Sequence, residues 1–426
     1  MSQTQYHLLK TRRFFPLFLT QFFNAFNDNV FKNGFVILIA FKMTQILVDE
    51  QTLIALIGGV YILPFFLFSA TAGQIADKYD KSVLIKIIKS VEIFIMLIGS
   101  IGFYFKSLTL LMATLFLLGI HSTFFGPIKY SILPNLLAKD ELIGGNALIE
   151  AGTFVAILAG QILGSCLILG NNGVLAITIA LFVIAVAGLV TSFFIPAITP
   201  ANPNLPISVN IAKETLRIIH LTREKSVIFL GIIGISWFWF VGATLLTQLP
   251  TFTKEYLHGR AAIFTLFLTL FSFGIGTGSL LCNKLLQGKI TAKYVPFAIG
   301  AMSIFLIDIH LAAPKAIVSS LPLVTLGQFL GSLHNFQILT DIFLMSACAG
   351  FFVVPLYALI QAESDDLVRS RIIAATNIIS ALFMVGSALF IMFFTALSFS
   401  IPQVFIVLAV GNLFMALYMR KLKALS

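Results

Sequence analysis

The chain has 426 residues, 59% hydrophobic and only 10% charged, with a mean hydropathy of +1.02. A soluble core cannot hold that much apolar side chain, so the composition is that of an all-α polytopic membrane protein and excludes a large soluble catalytic domain. The formal net charge is +10, but the Lys and Arg residues lie scattered in short segments between apolar runs, which orients a membrane chain and gives nucleic acid no continuous surface.

Roughly 20 apolar residues suffice to cross a bilayer. Runs bounded by Gly, Pro, Asn and charge predict six spans at about 14–41, 53–72, 83–105, 108–128, 146–169 and 174–195. Lys10, Arg12 and Arg13 precede the first run, which is too long for a signal peptide and has no small-residue cleavage site; it reads as an uncleaved span. Within it, Thr20, Asn24, Asp28 and Lys32 recur every four residues and form a polar seam, beside Gln21, Asn27 and Asn29. At 1.5 Å per residue, Asp28 lies roughly 22 Å beyond Arg13. An ionisable group at that depth costs about 2.5 to 3.5 kcal/mol unless it has a partner or a wet cavity. Two explanations stand: Asp28 and Lys32 neutralise each other, or they contact a substrate or coupling ion in a central cavity.

The segment Gly73-Gln74-Ile75-Ala76-Asp77-Lys78-Tyr79-Asp80-Lys81 joins spans two and three. Glu92 in span three lies toward a span end and reads as structural, as does Asp308 in span nine, and His121 in span four reads as a packing residue. Lys129, at the mouth of span four, either meets a phosphate headgroup or snorkels to water. Asn146, Glu150 and Thr153 share one face at the start of span five, where Glu150 either faces the cavity or reaches loop lysines. Gly152, Gly160 and Gly164 on the same span are suited to close helix packing.

A polar linker, 196–226, separates an N-terminal unit, 1–195, from a C-terminal one, 227–426. Six more spans are predicted at about 227–252, 261–282, 294–313, 339–361, 372–396 and 402–419. Span seven carries Trp237, Trp239, Thr244, Thr247 and Gln248; span eleven carries Thr376, Asn377 and Ser380. Cys166, Cys282 and Cys348 lie inside apolar runs and give neither a disulfide framework nor metal spacing. With the N-terminus inside, cytoplasmic segments collect 21 of the 27 Lys and Arg residues, Lys78, Lys81, Lys86 and Lys89 among them, and external loops hold five. That bias places both termini in the cytoplasm.

The halves repeat. Phe124-Phe125-Gly126-Pro127-Ile128-Lys129-Tyr130 is echoed by Phe351-Phe352-Val353-Val354-Pro355-Leu356-Tyr357 at an offset of 227, which sets Asn377 at the place of Glu150. Asp77-Lys78 has a weaker counterpart, Asn283-Lys284, at an offset of 206. The difference predicts an insertion, for which Ala313–Phe336, with two Pro and two Gly residues, fits as a loop or short interfacial helix. No Gly-rich phosphate loop is present, and no His is followed by an Asp five positions on, so neither an ATPase nor an acyltransferase is expected, and no cofactor or metal.

The loop Gly73–Lys81 resembles the signature between spans two and three of the major facilitator superfamily, with Asp80 where that pattern has a second Gly. Ala25-Phe26-Asn27-Asp28-Asn29, the stretch from Pro127 to Ala151, Ser279-Leu280-Leu281-Cys282-Asn283-Lys284 and Gly350-Phe351-Phe352-Val353-Val354-Pro355-Leu356 resemble the bacterial lysophospholipid transporters. They also resemble the transporter portion of fused acyltransferase and acyl-carrier-protein synthetase proteins. The resemblance implies the major facilitator fold, twelve transmembrane helices in two pseudo-symmetric six-helix bundles. It implies a protein of the bacterial inner membrane that carries lysophospholipid from the outer to the inner leaflet, in functional coupling with a separate acyltransferase; a monomer is the expected state. By motif Asp28, Asn29 and Glu150 are then polar cavity residues; Asn24, Lys32, Lys129, Asn146, Gln248 and Asn377 join them as substrate-binding candidates from their own placement, and Gly73, Asp77, Lys78 and Lys81 form a conformational latch. In one departure, Gly242-Ala243-Thr244-Leu245-Leu246 lacks the Arg those transporters carry in span seven, leaving Gln248 as a neutral stand-in and Lys32 or Lys129 to meet phosphate. The alternatives are a proton-coupled exporter of a small metabolite, drug or siderophore, and a membrane scaffold for an acyltransferase.

Overall fold

In hydrocarbon the backbone must satisfy its own N–H and C=O groups, which leaves helices for a chain this apolar. The computed structural model describes residues 5–42, 50–316 and 322–425, and among these no strand occurs. Among the described residues twelve helices are 18 residues or longer. They are α1 (Phe15–Lys42), α2 (Glu50–Lys78), α3 (Lys81–Tyr104), α4 (Leu108–Ser131), α5 (Leu142–Leu169), α6 (Gly173–Ser192), α7 (Ser226–Thr251), α8 (Ala261–Leu286), α9 (Val295–Ala312), α10 (Leu333–Glu363), α11 (Arg369–Ala396) and α12 (Ile401–Leu425). Ten are long and apolar enough to span a membrane; α1 and α3 have the length but carry Asp28 and Lys32, or Lys86, Lys89 and Glu92, among their apolar residues.

The packing repeats. α1 lies against α5 and α6, and α2 against α4; in the second half α7 lies against α11, and α8 against α10. α5 meets α8, and α2 meets α11, across the two halves. Glycines allow the closest approaches. A Cβ at Gly160 would stand 2.7 Å from the Phe26 carbonyl of α1, and one at Gly278 of α8 would overlap the Ala347 carbonyl of α10. Gly278→Leu is therefore expected to abolish folded protein, read as loss of the monodisperse peak in fluorescence size-exclusion, whereas Gly300→Leu, where no atom lies within 4 Å of a Cβ, keeps it.

The linker holds more structure than its composition suggests, and the predicted insertion holds a short helix, one of the two forms expected of it. Asn210 caps a linker helix, Ile211–Thr222, by accepting from the Lys213 N–H at 2.9 Å. Its Glu214, Ile218 and Thr222, four apart, are buried, and Ile218 packs with Ala70 of α2 and Ala374, Ala375 and Ile378 of α11. Between α9 and α10, Leu326–Leu330 forms a short helix capped by Thr325 and Gln328, within the predicted insertion, part of which (317–321) lies outside the described residues.

Candidate functional site

α1, α2 and α4 converge on Asp28. Its Oδ2 accepts from the Ser122 hydroxyl at 2.7 Å and from the Tyr61 hydroxyl at 3.1 Å, while its Oδ1 is buried with no hydrogen-bond partner. Lys32, one turn along, sets its Nζ 4.1 Å from the Tyr61 ring centroid, a cation–π contact. Among the described residues the two charges form no ion pair within 4.0 Å. Asp28 is 3% exposed, and Lys32, Tyr61 and Ser122 are half-buried.

The rest of the α1 seam fans out to other helices. Thr20 bonds Thr191 of α6 at 2.9 Å, and Asn24 Oδ1 accepts from Lys89 of α3 at 3.3 Å. Asn27 Nδ2 donates to Glu92 at 2.7 Å. Lys89 is ion-paired with Glu92, whose Oε2 stands 3.6 Å from His121 Nε2, all three deeply buried. This corrects two readings: Lys89 is not a cytoplasmic surface cation, and Glu92 sits at the middle of α3. The signal that finds the pair is a Lys and a Glu three apart at the middle of a mostly apolar helix. Asn29 donates to its own helix at Ala25 O, 2.7 Å, and its Cβ faces Gly160 of α5.

A second group joins the two halves. The Tyr130 hydroxyl donates to Glu150 Oε1 at 2.5 Å, and the Tyr130 ring stacks on Tyr357 of α10 with centroids 4.1 Å apart and planes within 4°. Lys129 Nζ lies 4.7 Å from the Tyr130 centroid. Asn146 and Gln361 exchange amide hydrogen bonds at 2.7 and 3.0 Å, and Gln361 also donates to Tyr130 O at 3.1 Å. Asn377 stands against α4, where a Cβ at Gly126 would come 2.9 Å from its Nδ2. Gln248 is half-buried in the last turn of α7. Tyr357 and Gln361 escaped the sequence reading, although the 227 offset already paired Tyr357 with Tyr130.

The third group surrounds Asp77 at the end of α2. Its Oδ1 accepts from Ser370 N at 2.9 Å and its Oδ2 from Arg371 Nε at 3.0 Å, so the carboxylate caps the start of α11. A side chain at Gly73 would come within 2.9 Å of Arg371 Cα, and Ser131 bonds Ser370 at 3.0 Å. Lys81 is buried beside this group, while Lys78 lies over Tyr79 at 5.8 Å. Asp80, where a Gly was expected, caps α3 through Ser82 N at 2.7 Å and holds Ile198 N at 3.3 Å. The linker adds Ser208 N donating to Gln74 at 2.7 Å and Asn202 N to Asp77 O at 2.9 Å.

The side-chain hydrogen bonds between α1–α6 and α7–α12 among the described residues all belong to these last two groups, at the Asp77 end of the bundle. The halves are shut there, and the Asp28 group, within one half, lies on the side of them where no such bond joins the halves. Among the described residues no cluster of three or more His, Cys, Asp or Glu residues could hold a metal.

The family model of the Major Facilitator Superfamily matches residues 17–315. Lysophospholipid transporter LplT of Citrobacter koseri is 27% identical over 412 residues, covering 92% of this chain and 91% of that protein. The protein of that name from Pectobacterium carotovorum is 26% identical over 377 residues, covering 87% and 83%. Among solved structures, the human organic anion transporter MFSD10 superposes with a TM-score of 0.73 at 14% identity, over 95% of this chain and 99% of that one.

Proposed function

The chain belongs to the major facilitator superfamily, and on that premise we propose that this multi-pass transporter of the bacterial inner membrane moves lysophospholipid from the outer to the inner leaflet. Two six-helix halves, with twelve crossings and both termini in the cytoplasm, would rock about the Asp28 site. The observation that carries this reading is the pairing of Asp28, one carboxylate oxygen without a protein partner, with Lys32 across the Tyr61 ring. A phosphoethanolamine headgroup has both signs: its ammonium meets Asp28 Oδ1 and its phosphate meets Lys32. Names of relatives covering most of the chain support the same substrate.

In this reading Gly73, Asp77, Lys78 and Lys81 form the latch that holds the cytoplasmic side shut, and released lipid passes to a separate acyltransferase. Glu150, Asn146, Lys129 and Asn377 lie on the route below Asp28, and Gln248 on the wall of α7; Asn29 and Asn24 hold α1 in place.

Lys32→Ala is expected to slow lysophosphatidylethanolamine movement roughly tenfold or more, since hydrogen bonds to charged groups contribute about 1.5–3 kcal/mol, and Lys129→Ala to slow it less. Equal rates for the two variants would remove the phosphate from Lys32. The parent test is reconstitution: proteoliposomes should carry labelled lysophosphatidylethanolamine between leaflets faster than empty vesicles. If they do not, and instead accumulate a water-soluble compound along a pH gradient, the reading motivated by the cation-free stretch Gly242–Leu246 takes its place.

A further inference from the structure

A groove of about 610 Å³ lies at the start of α1, between the 3-10 helix Gln5–Lys10 and the end of α6. Phe15, Leu19, Thr191 and Phe194 make its mostly apolar wall, and Lys10 and Arg12 stand at its rim. Both cations are exposed, and among the described residues neither enters an ion pair. Arg13 next to them is already committed, to Glu141 at 2.5 Å and to Leu136 O at 3.0 Å. Leu19 and Asp28 are nine residues apart, which sets them about 180° around α1, so the groove is separate from the transport site.

Two unpaired cations above an apolar slot match a phosphate carrying acyl chains, and the cytoplasmic leaflet is where anionic lipids meet basic residues. We propose that this groove binds an anionic phospholipid of the cytoplasmic leaflet, with Lys10 and Arg12 on its phosphate and its acyl chains along Phe15, Leu19 and Phe194. The leaflet assigned rests on the orientation proposed above; the lipid class rests on the groove itself. The same 3-10 helix carries Gln5, whose Nε2 donates to Leu280 O of α8 at 3.1 Å. A lipid packed against Leu9 and Lys10 steadies the element that clasps the opposite half, and so favours the state closed at the Asp77 end.

The test is native mass spectrometry of the full chain in neutral detergent, titrated with phosphatidylglycerol or with phosphatidylcholine of the same acyl chains. Wild type is expected to retain phosphatidylglycerol preferentially, and the Lys10→Gln/Arg12→Gln double variant to bind it roughly tenfold or more weakly, with phosphatidylcholine unchanged. A control pair of exposed cations elsewhere, Lys139→Gln/Lys289→Gln, should keep the preference. The site is refuted if the double variant binds as wild type does, if the control pair loses as much, or if glycerol phosphate displaces the lipid as well as whole phosphatidylglycerol does. Absence of lysophosphatidylethanolamine movement by wild type would sink the transport reading and leave this binding result to decide the groove alone.

Discussion

Asp28→Asn is expected to cut lysophosphatidylethanolamine movement by about 10–100-fold at subsaturating lipid while leaving the protein folded. The carboxylate accepts from Ser122 and Tyr61 through Oδ2 alone, and an amide oxygen can keep both bonds. What disappears is the negative charge of the carboxylate, whose Oδ1 has no protein partner. A charge-assisted bond contributes about 1.5–3 kcal/mol, and each 1.4 kcal/mol is about tenfold in affinity. Movement of labelled lipid in proteoliposomes, read beside the thermal unfolding midpoint, separates the two effects. Transport by the Asp28→Asn variant at the wild-type rate would mean that the carboxylate serves only to hold α1 against α2 and α4.

Asp77→Asn is expected to act on the other end, opening the side that the structure shows shut. Asp77 is fully buried and Arg371 nearly so, and removing one partner of a buried ion pair costs about 3–5 kcal/mol because the other charge is left uncompensated. These bonds cross the halves and exist only while the halves meet, so their loss falls on the closed state and shifts the conformational balance rather than unfolding either half. Ser131, buried beside Ser370 in the same seam, reports it. In a Ser131→Cys background, labelling by a membrane-impermeant maleimide from the cytoplasmic side should quicken by at least about tenfold on adding Asp77→Asn, a fraction of what about 3 kcal/mol allows. An unchanged labelling rate would show that Asp77 is not part of the latch.

The long helices were legible because apolar runs of spanning length admit little else. The ends of several were not. The predicted second span stops at 72, where the apolar run ends, yet α2 continues to Lys78 because Gln74 and Asp77 are buried against the linker and α11. The linker reads as polar, and the buried face of its helix is only Glu214, Ile218 and Thr222, three positions too few to stand out before α2 and α11 are placed beneath them.

The site was legible as residues but not as a geometry. A four-residue spacing turns by about 40° at each step on a 3.6-residue helix, so the seam on α1 does not face one cavity. Thr20 reaches α6, Asn24 reaches α3, and Asp28 reaches α2 and α4. Tyr61 and Ser122, which position the carboxylate, sit on apolar helices where a lone hydroxyl carries no sequence signal. Asp80 shows the converse: a departure from a family pattern that looks like a lost turn glycine is a helix cap.

The most direct measurement is photocrosslinking in native membranes with a lysophosphatidylethanolamine that carries a photoreactive group near its headgroup. The proposed mechanism predicts adducts on peptides of α1, α2 and α4 around Asp28, Tyr61 and Ser122, displaced by excess unlabelled lysolipid and lost in Asp28→Asn. Adducts confined to the outward surfaces of peripheral helices, and indifferent to competitor, would contradict it.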